Sequence, residues 1–294
     1  MARWRDLVTR SLVALMGGPA LVLGPRDRVT VERLPPLDSR ILDETRTIEV
    51  YLPRGYLSDS VRAYPVLYAN DGQDMEAVHL AAVLDSLQQG DAMAPAIVVA
   101  IHATERVQDY GTAGVLNAQG LGARAERYDQ FILAEVMPLI EARYRVERGP
   151  AHTAIMGWSL GGLSAFDLAW RHPECFGAVG VFSGSFWWRT DDRDVAAKQR
   201  SRIMHRRVRE TMGHPALRMW FETGLQDETE DRDGDGVIDA VQDTEELVVE
   251  LERKGYSKGR EMVHLIVDGR HDLPTWSRML PQWLVWAFPP GPPT

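Results

Sequence analysis

The 294-residue sequence contains one cysteine, Cys175, which excludes an internal disulfide. That usage fits a reducing, cytoplasmic setting. Cys175 follows His172-Pro173-Glu174 at the end of a helical stretch, and reads as a small buried thiol rather than a nucleophile. Basic charge is also short. With 33 Lys and Arg against 42 Asp and Glu, the net charge of −9 argues against nucleic-acid or membrane partners, both of which need a basic patch. Long apolar runs are missing too. Ser11 to Leu23 is too short to span a bilayer. It follows Arg3, Arg5 and Arg10 like the start of a signal peptide, but Asp6 interrupts the basic region, Gly17-Gly18-Pro19 breaks the run, and no small-x-small cleavage site follows. Residues 1–27 therefore read as a docked or loose N-terminal segment. Internal repeats and Pro/Gly/Ser linkers are absent, so residues 28–288 read as one domain, and the proline-rich residues 289–294 as a loose tail.

What is present is a steady alternation of strand and helix signals. Strands are expected at Arg28 to Arg33, Arg46 to Leu52, Tyr64 to Ala69, Ala96 to Ile101, Thr153 to Met156, Gly177 to Phe182, Leu217 to Glu222 and Met262 to Val267. Helices are expected from Met75 to Gln88, Tyr128 to Arg143 with a kink at Pro138, Leu163 to Arg171, Thr244 to Lys254, and from Pro274 onward. Arg189 to Glu210 is a charged connection. This rhythm predicts an α/β fold, a mostly parallel sheet with helices on both faces.

Between the fifth strand and its helix stands Gly157-Trp158-Ser159-Leu160-Gly161, followed by Gly162. Strand, Gly-x-Ser-x-Gly and helix in that order form a nucleophile elbow, a turn tight enough to demand glycines and to lift a serine hydroxyl clear of the sheet. Ser159 is the predicted nucleophile. The N–H of Leu160, at the new helix's start, is placed to face an oxyanion.

A serine nucleophile needs a base, and an acid to orient that base. His271 comes late in the chain, in the loop Asp268-Gly269-Arg270-His271-Asp272 directly after a strand, and is the predicted base. His102, at the end of an earlier strand, is the runner-up. His264 lies within a strand and reads as packed, while His79, His152, His172, His205 and His214 read as ordinary solvated histidines. Asp227 stands just beyond the strand ending at Glu222 and is the predicted acid. Glu228, Glu230, Asp231, Asp233, Asp235, Asp239 and Asp243 read as solvated loop carboxylates, and Asp272 adjoins the base too closely in sequence to orient it. The second oxyanion donor is expected in Asn70-Asp71-Gly72-Gln73-Asp74, from the N–H of Gln73 or Gly72, with Gly72 letting the backbone approach a ligand.

These residues carry a family resemblance. Tyr64-Pro65-Val66-Leu67-Tyr68 with Asp71-Gly72-Gln73 resembles the oxyanion loop of the esterase D and enterochelin-esterase-like α/β-hydrolases, and Gly157 to Gly162 matches their elbow. Val181 to Trp188, containing Ser183-Gly184-Ser185-Phe186-Trp187-Trp188, is similar to a stretch of enterochelin esterases. Asp268 to Asp272 with Trp276 resembles their histidine loop, with Arg270 where glycine is usual. The resemblance runs from about Val29 to Phe288. It implies an α/β-hydrolase fold and hydrolysis of a small-molecule ester by Ser159, Asp227 and His271 without a cofactor. Feruloyl esterases, formylglutathione hydrolases and mycolyltransferases share this architecture. The substrate is therefore open, as is the oligomeric state, a homo-oligomer included. An acyltransferase using the same triad is the alternative reading, and a non-catalytic binding member of the fold a more distant one.

Around the site, Arg106 is placed to bind an anionic or catecholate group or to form a surface ion pair, and Trp187 and Trp188 to present aromatic faces to a substrate ring. Trp158, inside the elbow, reads as core. Asp231 to Asp239 imitates a Ca²⁺ loop, with carboxylates at its first, third, fifth and ninth places and Gly236 at the sixth. Its twelfth place is Gln242 rather than a bidentate glutamate, with Asp243 next.

Overall fold

Short runs of β-branched and aliphatic residues form the strands at the centre of the molecule. The computed structural model describes residues 28–291, and the expectations for residues 1–27 and for the last three residues lie outside the described residues. In chain order the strands are β1 (Thr30–Arg33), β2 (Leu37–Ser39), β3 (Glu44–Arg46), β4 (Ile48–Leu52), β5 (Val66–Ala69), β6 (Ile97–Ile101), β7 (Thr153–Trp158), β8 (Ala178–Phe182), β9 (Arg218–Gln226) and β10 (Met262–Arg270). The helices are α1 (Leu80–Gln89), α2 (Arg106–Asp109), α3 (Ala125–Phe131), α4 (Met137–Arg143), α5 (Leu160–Arg171), α6 (Val195–Arg200), α7 (Ile203–Glu210), α8 (Asp239–Arg253) and α9 (Leu273–Ala287). Eight strands make one sheet in the order β1-β4-β6-β5-β7-β8-β9-β10, and β2 pairs with β3 in a separate hairpin.

Only β4 runs against the rest of the large sheet. It pairs antiparallel with β1 and β6, while β6, β5, β7, β8, β9 and β10 pair in parallel. Parallel strands buried on both faces alternate between two cores. Val66, Tyr68, Val99, Ile155, Val179 and Phe221 point into one, closed by α3, α4, α5, α7 and α8. Leu67, Ala69, Val98, Met156 and Trp220 point into the other, closed by α1 and α9. This is the mostly parallel sheet with helices on both faces that the strand and helix signals predict, and it matches the α/β-hydrolase fold that the family resemblance implies.

Four local departures have identifiable causes. The stretch expected to open α1 at Met75 instead starts with a 3-10 turn, Gly72–Asp74, and α1 begins only after His79, whose φ of 55° is left-handed. The helix expected over 128–143 is interrupted by a π-helical turn, Ile132–Val136, directly ahead of Pro138. The N–H of Met137 bonds back to Ile132 there, and the shift in register accommodates a residue without an N–H. The connection Arg189 to Glu210 carries α6 and α7. Finally, β9 and β10 extend to Gln226 and Arg270, past their apolar cores, and carry the chain directly to Asp227 and His271.

Candidate active site

The elbow is built by close backbone approaches. Ser159 sits at φ 56°, ψ −125°, between β7 and α5. A methyl group at Gly157 would stand 2.3 Å from the carbonyl oxygen of Gly161, and one at Gly162 would stand 2.9 Å from the carbonyl oxygen of Gly157. Ordinary side chains cannot fit either gap, so the sequence must place glycine at both. The Ser159 N–H donates to the carbonyl of Phe182 at 2.9 Å, fixing the turn to the neighbouring strand. The first bonds of α5 run from the N–H groups of Gly162 and Leu163 to the carbonyl of Ser159. The N–H groups of Leu160 and Gly161 therefore have no partner within the helix. The hydroxyl of Ser159 lies 3.5 Å from that of Ser185, in the loop after β8.

His271 and Asp227 follow β10 and β9, so the candidate nucleophile, acid and base leave the same end of the parallel sheet. The Asp227 carboxylate is wholly withdrawn from water, while 39% of the His271 side chain is exposed, open to a ligand arriving from solvent. His271 Nδ1 stands 3.7 Å from Asp227 Oδ2, an ion-pair distance that is longer than a hydrogen bond. The imidazole meets Trp276 edge to face at 5.2 Å, and Trp276 in turn stacks on Trp158 at 5.5 Å. Trp276 also donates from Nε1 to the Ser183 hydroxyl at 2.9 Å. One aromatic column thus ties the histidine loop to the elbow and to the loop after β8.

The other carboxylates and histidines fall elsewhere. Asp272 caps α9, accepting the N–H of Thr275 at 3.0 Å. His102 lies 3.8 Å from Glu49 on β4. Burial lowers His264 to about 4, as a packed residue requires. Two expectations of solvated carboxylates are corrected: Asp239 and Asp243 are 4% and 1% exposed. Both pair with Arg232, and Asp243 also with Arg202. His205, expected in solvent, is buried, and desolvation holds it well below the usual histidine range. Cys175 is only half-buried.

The oxyanion loop is shaped by packing. Gly72 is buried, and a methyl group there would stand 2.7 Å from Ala100 and Ile101 of β6. Contact with the sheet by itself requires glycine at this position. Gln73 is exposed, and its side chain accepts from the N–H of Ala103 at 3.0 Å. The N–H groups of Gly72 and Gln73 open the 3-10 turn and have no partner within it.

Arg106 grips this loop. Its Nε and Nη2 donate to the two oxygens of the buried Asp71 at 2.8 and 2.9 Å, and Nη2 also reaches the Trp158 carbonyl at 3.2 Å. Of the two expected roles, the ion pair is observed, largely buried rather than at the surface, and it joins the candidate oxyanion loop to the elbow. Trp188 is a correction. It is 1% exposed, with its ring 3.2 Å from where methyl groups on Gly111 and Gly122 would stand. It packs the wall rather than facing a substrate, whereas Trp187 is partly exposed.

In the acidic loop, Asp231, Asp233 and Asp235 each bring a carboxylate oxygen within 4.8 Å of the others. The ninth-place Asp239 turns inward to Arg232, and the Gln242 amide donates to Asp233 at 2.8 Å. Only three of the four expected carboxylates therefore converge.

From the sequence, Glu222 reads only as the end of a strand. It is 1% exposed, and neither carboxyl oxygen is hydrogen-bonded by any of the described residues. An acid closing the apolar run Met219-Trp220-Phe221 was the available signal.

Known proteins resemble this chain in family and fold. A family model described as "Putative esterase" matches residues 39–287. The "Uncharacterized protein YbbA" of Bacillus subtilis strain 168 is 29% identical over 147 residues, which span 49% of this chain and 58% of that protein. The iron(III) enterobactin esterase of Escherichia coli strain K12 is 24% identical over 212 residues, 71% of this chain and 45% of that protein. The chain thus spans roughly half the length of these curated relatives. Among solved structures, a ferulic acid esterase shares the fold with a TM-score of 0.69 at 23% identity, covering 89% of this chain and 98% of that one. Matched by the family model over most of its length, the chain belongs to the esterase family of α/β-hydrolases.

Proposed function

We propose that the protein hydrolyses a small carboxylic ester through an acyl-enzyme on Ser159. The observation that carries this reading is the strained Ser159 backbone, held at the head of α5 by glycines, with Asp227 and His271 following β9 and β10 at the same end of the sheet. Left-handed backbone at a non-glycine residue costs of order 1–3 kcal/mol and persists where the surroundings enforce it. Family membership and relatives named as esterases support the same chemistry.

In this reading His271 takes the Ser159 proton as the serine oxygen attacks the ester carbonyl. Asp227 orients the imidazole and stabilises the imidazolium that forms. The N–H groups of Leu160 and of Gln73 or Gly72 receive the oxyanion. Collapse of the tetrahedral intermediate expels the alcohol, which His271 protonates. Water, deprotonated by His271, then releases the acid and restores Ser159. Trp187, two residues beyond Ser185, is the aromatic side chain of its loop left free to meet a substrate.

The test is pre-steady-state hydrolysis of p-nitrophenyl acetate and butyrate. A burst of p-nitrophenol that vanishes in Ser159→Ala supports the acyl-enzyme. Folded wild type that gives neither burst nor fluorophosphonate labelling of Ser159 overturns it.

A further inference from the structure

Glu222 is a buried carboxyl group beside the candidate triad that ester hydrolysis leaves without a task. It follows Phe221 in β9, and its side chain emerges on the sheet face that carries Trp220 and α9. Two residues on, Gly224 leaves the next position on that face empty. Asp227 turns back into this vacancy, for a methyl group at 224 would stand 2.5 Å from Asp227 Oδ1. Positions two apart on a strand lie about 6.6 Å from each other, so the two carboxyl groups are neighbours on one face. All four of their oxygens are buried, and among the described residues none has a hydrogen-bond donor.

Two adjacent buried carboxyl groups do not both ionise at neutral pH, and the proton settles on the one with less compensating charge. Asp227 has His271 beside it. Glu222 meets Phe182 of β8 and Leu265 of β10 in register, and the charged groups acting on it are Asp227 and, from α9, Arg278. Arg278 is exposed and donates to the Asp268 carbonyl. Burial first, and the Asp227 charge second, push the Glu222 carboxyl up to about 8.

We propose that Glu222 is a positioning residue for the catalytic acid: its neutral carboxyl group supplies the O–H donor that Asp227 lacks and keeps that carboxylate turned toward His271. The inference rests on reading Asp227 as the acid of a Ser159–His271–Asp227 triad. It makes the triad pH-sensitive from behind. Once Glu222 ionises, the donor is lost and a second negative charge repels Asp227 from its place.

The experiment compares wild type, Glu222→Gln, Glu222→Leu and Asp227→Ala. It measures kcat and KM for a p-nitrophenyl ester from about pH 6 to 10, corrected for spontaneous hydrolysis, alongside infrared spectra of the protonated carboxyl C=O band. Wild-type kcat is expected to decline as pH rises through about 8. Glu222→Leu, which leaves Asp227 without a donor, loses roughly 10-fold or more in kcat across the range, with KM held. Glu222→Gln keeps a neutral donor, restores most of that loss and lacks the alkaline decline, while a protonated-carboxyl band seen in wild type at pH 7 disappears. Superimposed wild-type and Gln profiles, a Gln variant as impaired as Leu, or a band that survives in Gln would each overturn the inference. Full activity in Asp227→Ala would remove the triad reading and this inference together. An inactive Asp227→Ala with superimposed Gln and wild-type profiles would remove this inference alone.

Discussion

The carboxylate of Asp227 occupies the space that a side chain at Gly224 would need: a methyl group there would stand 2.5 Å from Asp227 Oδ1 and 2.6 Å from the Gly269 carbonyl oxygen of β10. The candidate acid is thus seated on a missing side chain, wedged between the ends of the two strands that deliver acid and base. Since the second contact is with backbone, a substituted residue cannot be accommodated by rotating one side chain aside.

Gly224→Ala is therefore expected to act on chemistry rather than on affinity. Displacing a catalytic group by about 1 Å costs on the order of 100-fold in rate. The variant should lose at least roughly that in kcat, with KM little changed and a stability loss of about 1–3 kcal/mol from overpacking. Steady-state kinetics beside urea denaturation checks both. A folded Gly224→Ala with wild-type kcat would mean that Asp227 does not need this seat.

Glu222 makes a separate prediction about stability. Its carboxyl group is raised to about 8 in the folded protein, against roughly 4.3 for an unfolded glutamate. Between those values the folded chain holds a proton that the unfolded chain releases, so raising the pH favours unfolding. The contribution is complete below the unfolded value and lost as pH climbs through the folded one. Relative to Glu222→Gln, wild type should lose stability steadily from about pH 5 to 8, with a slope of at most about 1.4 kcal/mol per pH unit, and level off above. Denaturation midpoints of both proteins across that range provide the check, and a flat difference would contradict the burial of a neutral acid.

The parts of this site that follow from local backbone demands are legible in the sequence. Gly157, Gly162 and Ser159 announce the elbow because close approach of backbone to backbone permits little else. Asp227 and His271 follow from chain order after two strands. Less accessible are roles set by partners distant in sequence. Arg106 reads equally as a ligand anchor or a surface ion pair until Asp71, 35 residues away, is found to take two of its donors. Asp239 and Asp243 look solvated until Arg202 and Arg232 fold over them. Trp188 looks like a substrate platform until Gly111 and Gly122 close on its ring. In each case the residue type shows the capacity for an interaction, and the tertiary fold chooses the partner.

Trp188 and Trp187, adjacent in sequence, should therefore separate by assay. Trp188 is buried, and truncating a buried tryptophan to alanine typically costs about 3–5 kcal/mol. Trp188→Ala should lower the denaturation midpoint markedly. Trp187→Ala should leave the midpoint nearly in place and raise KM for aromatic esters relative to acetate. The reverse pattern would put Trp188 against the substrate after all.

Arg106 offers the sharpest choice between holding the site together and holding the substrate. Its fork closes on both oxygens of Asp71, which is fully buried, and it reaches the Trp158 carbonyl one residue before Ser159. Removing one partner of a buried pair leaves an uncompensated charge, at a cost of about 3–5 kcal/mol. In Arg106→Ala the Asp71 carboxylate keeps, among the described residues, only the Gln73 amide as a side-chain donor, and the candidate oxyanion loop loses one of its ties to the elbow. Both stability and kcat should fall. Arg106→Lys should recover little, because one ammonium cannot reproduce two parallel N–H bonds. The deciding measurement compares a neutral p-nitrophenyl butyrate with an anionic p-nitrophenyl hemisuccinate. A positioning arginine predicts the same fold-loss in kcat for both esters. A loss confined to the anionic ester, chiefly in KM, would return Arg106 to direct contact with substrate.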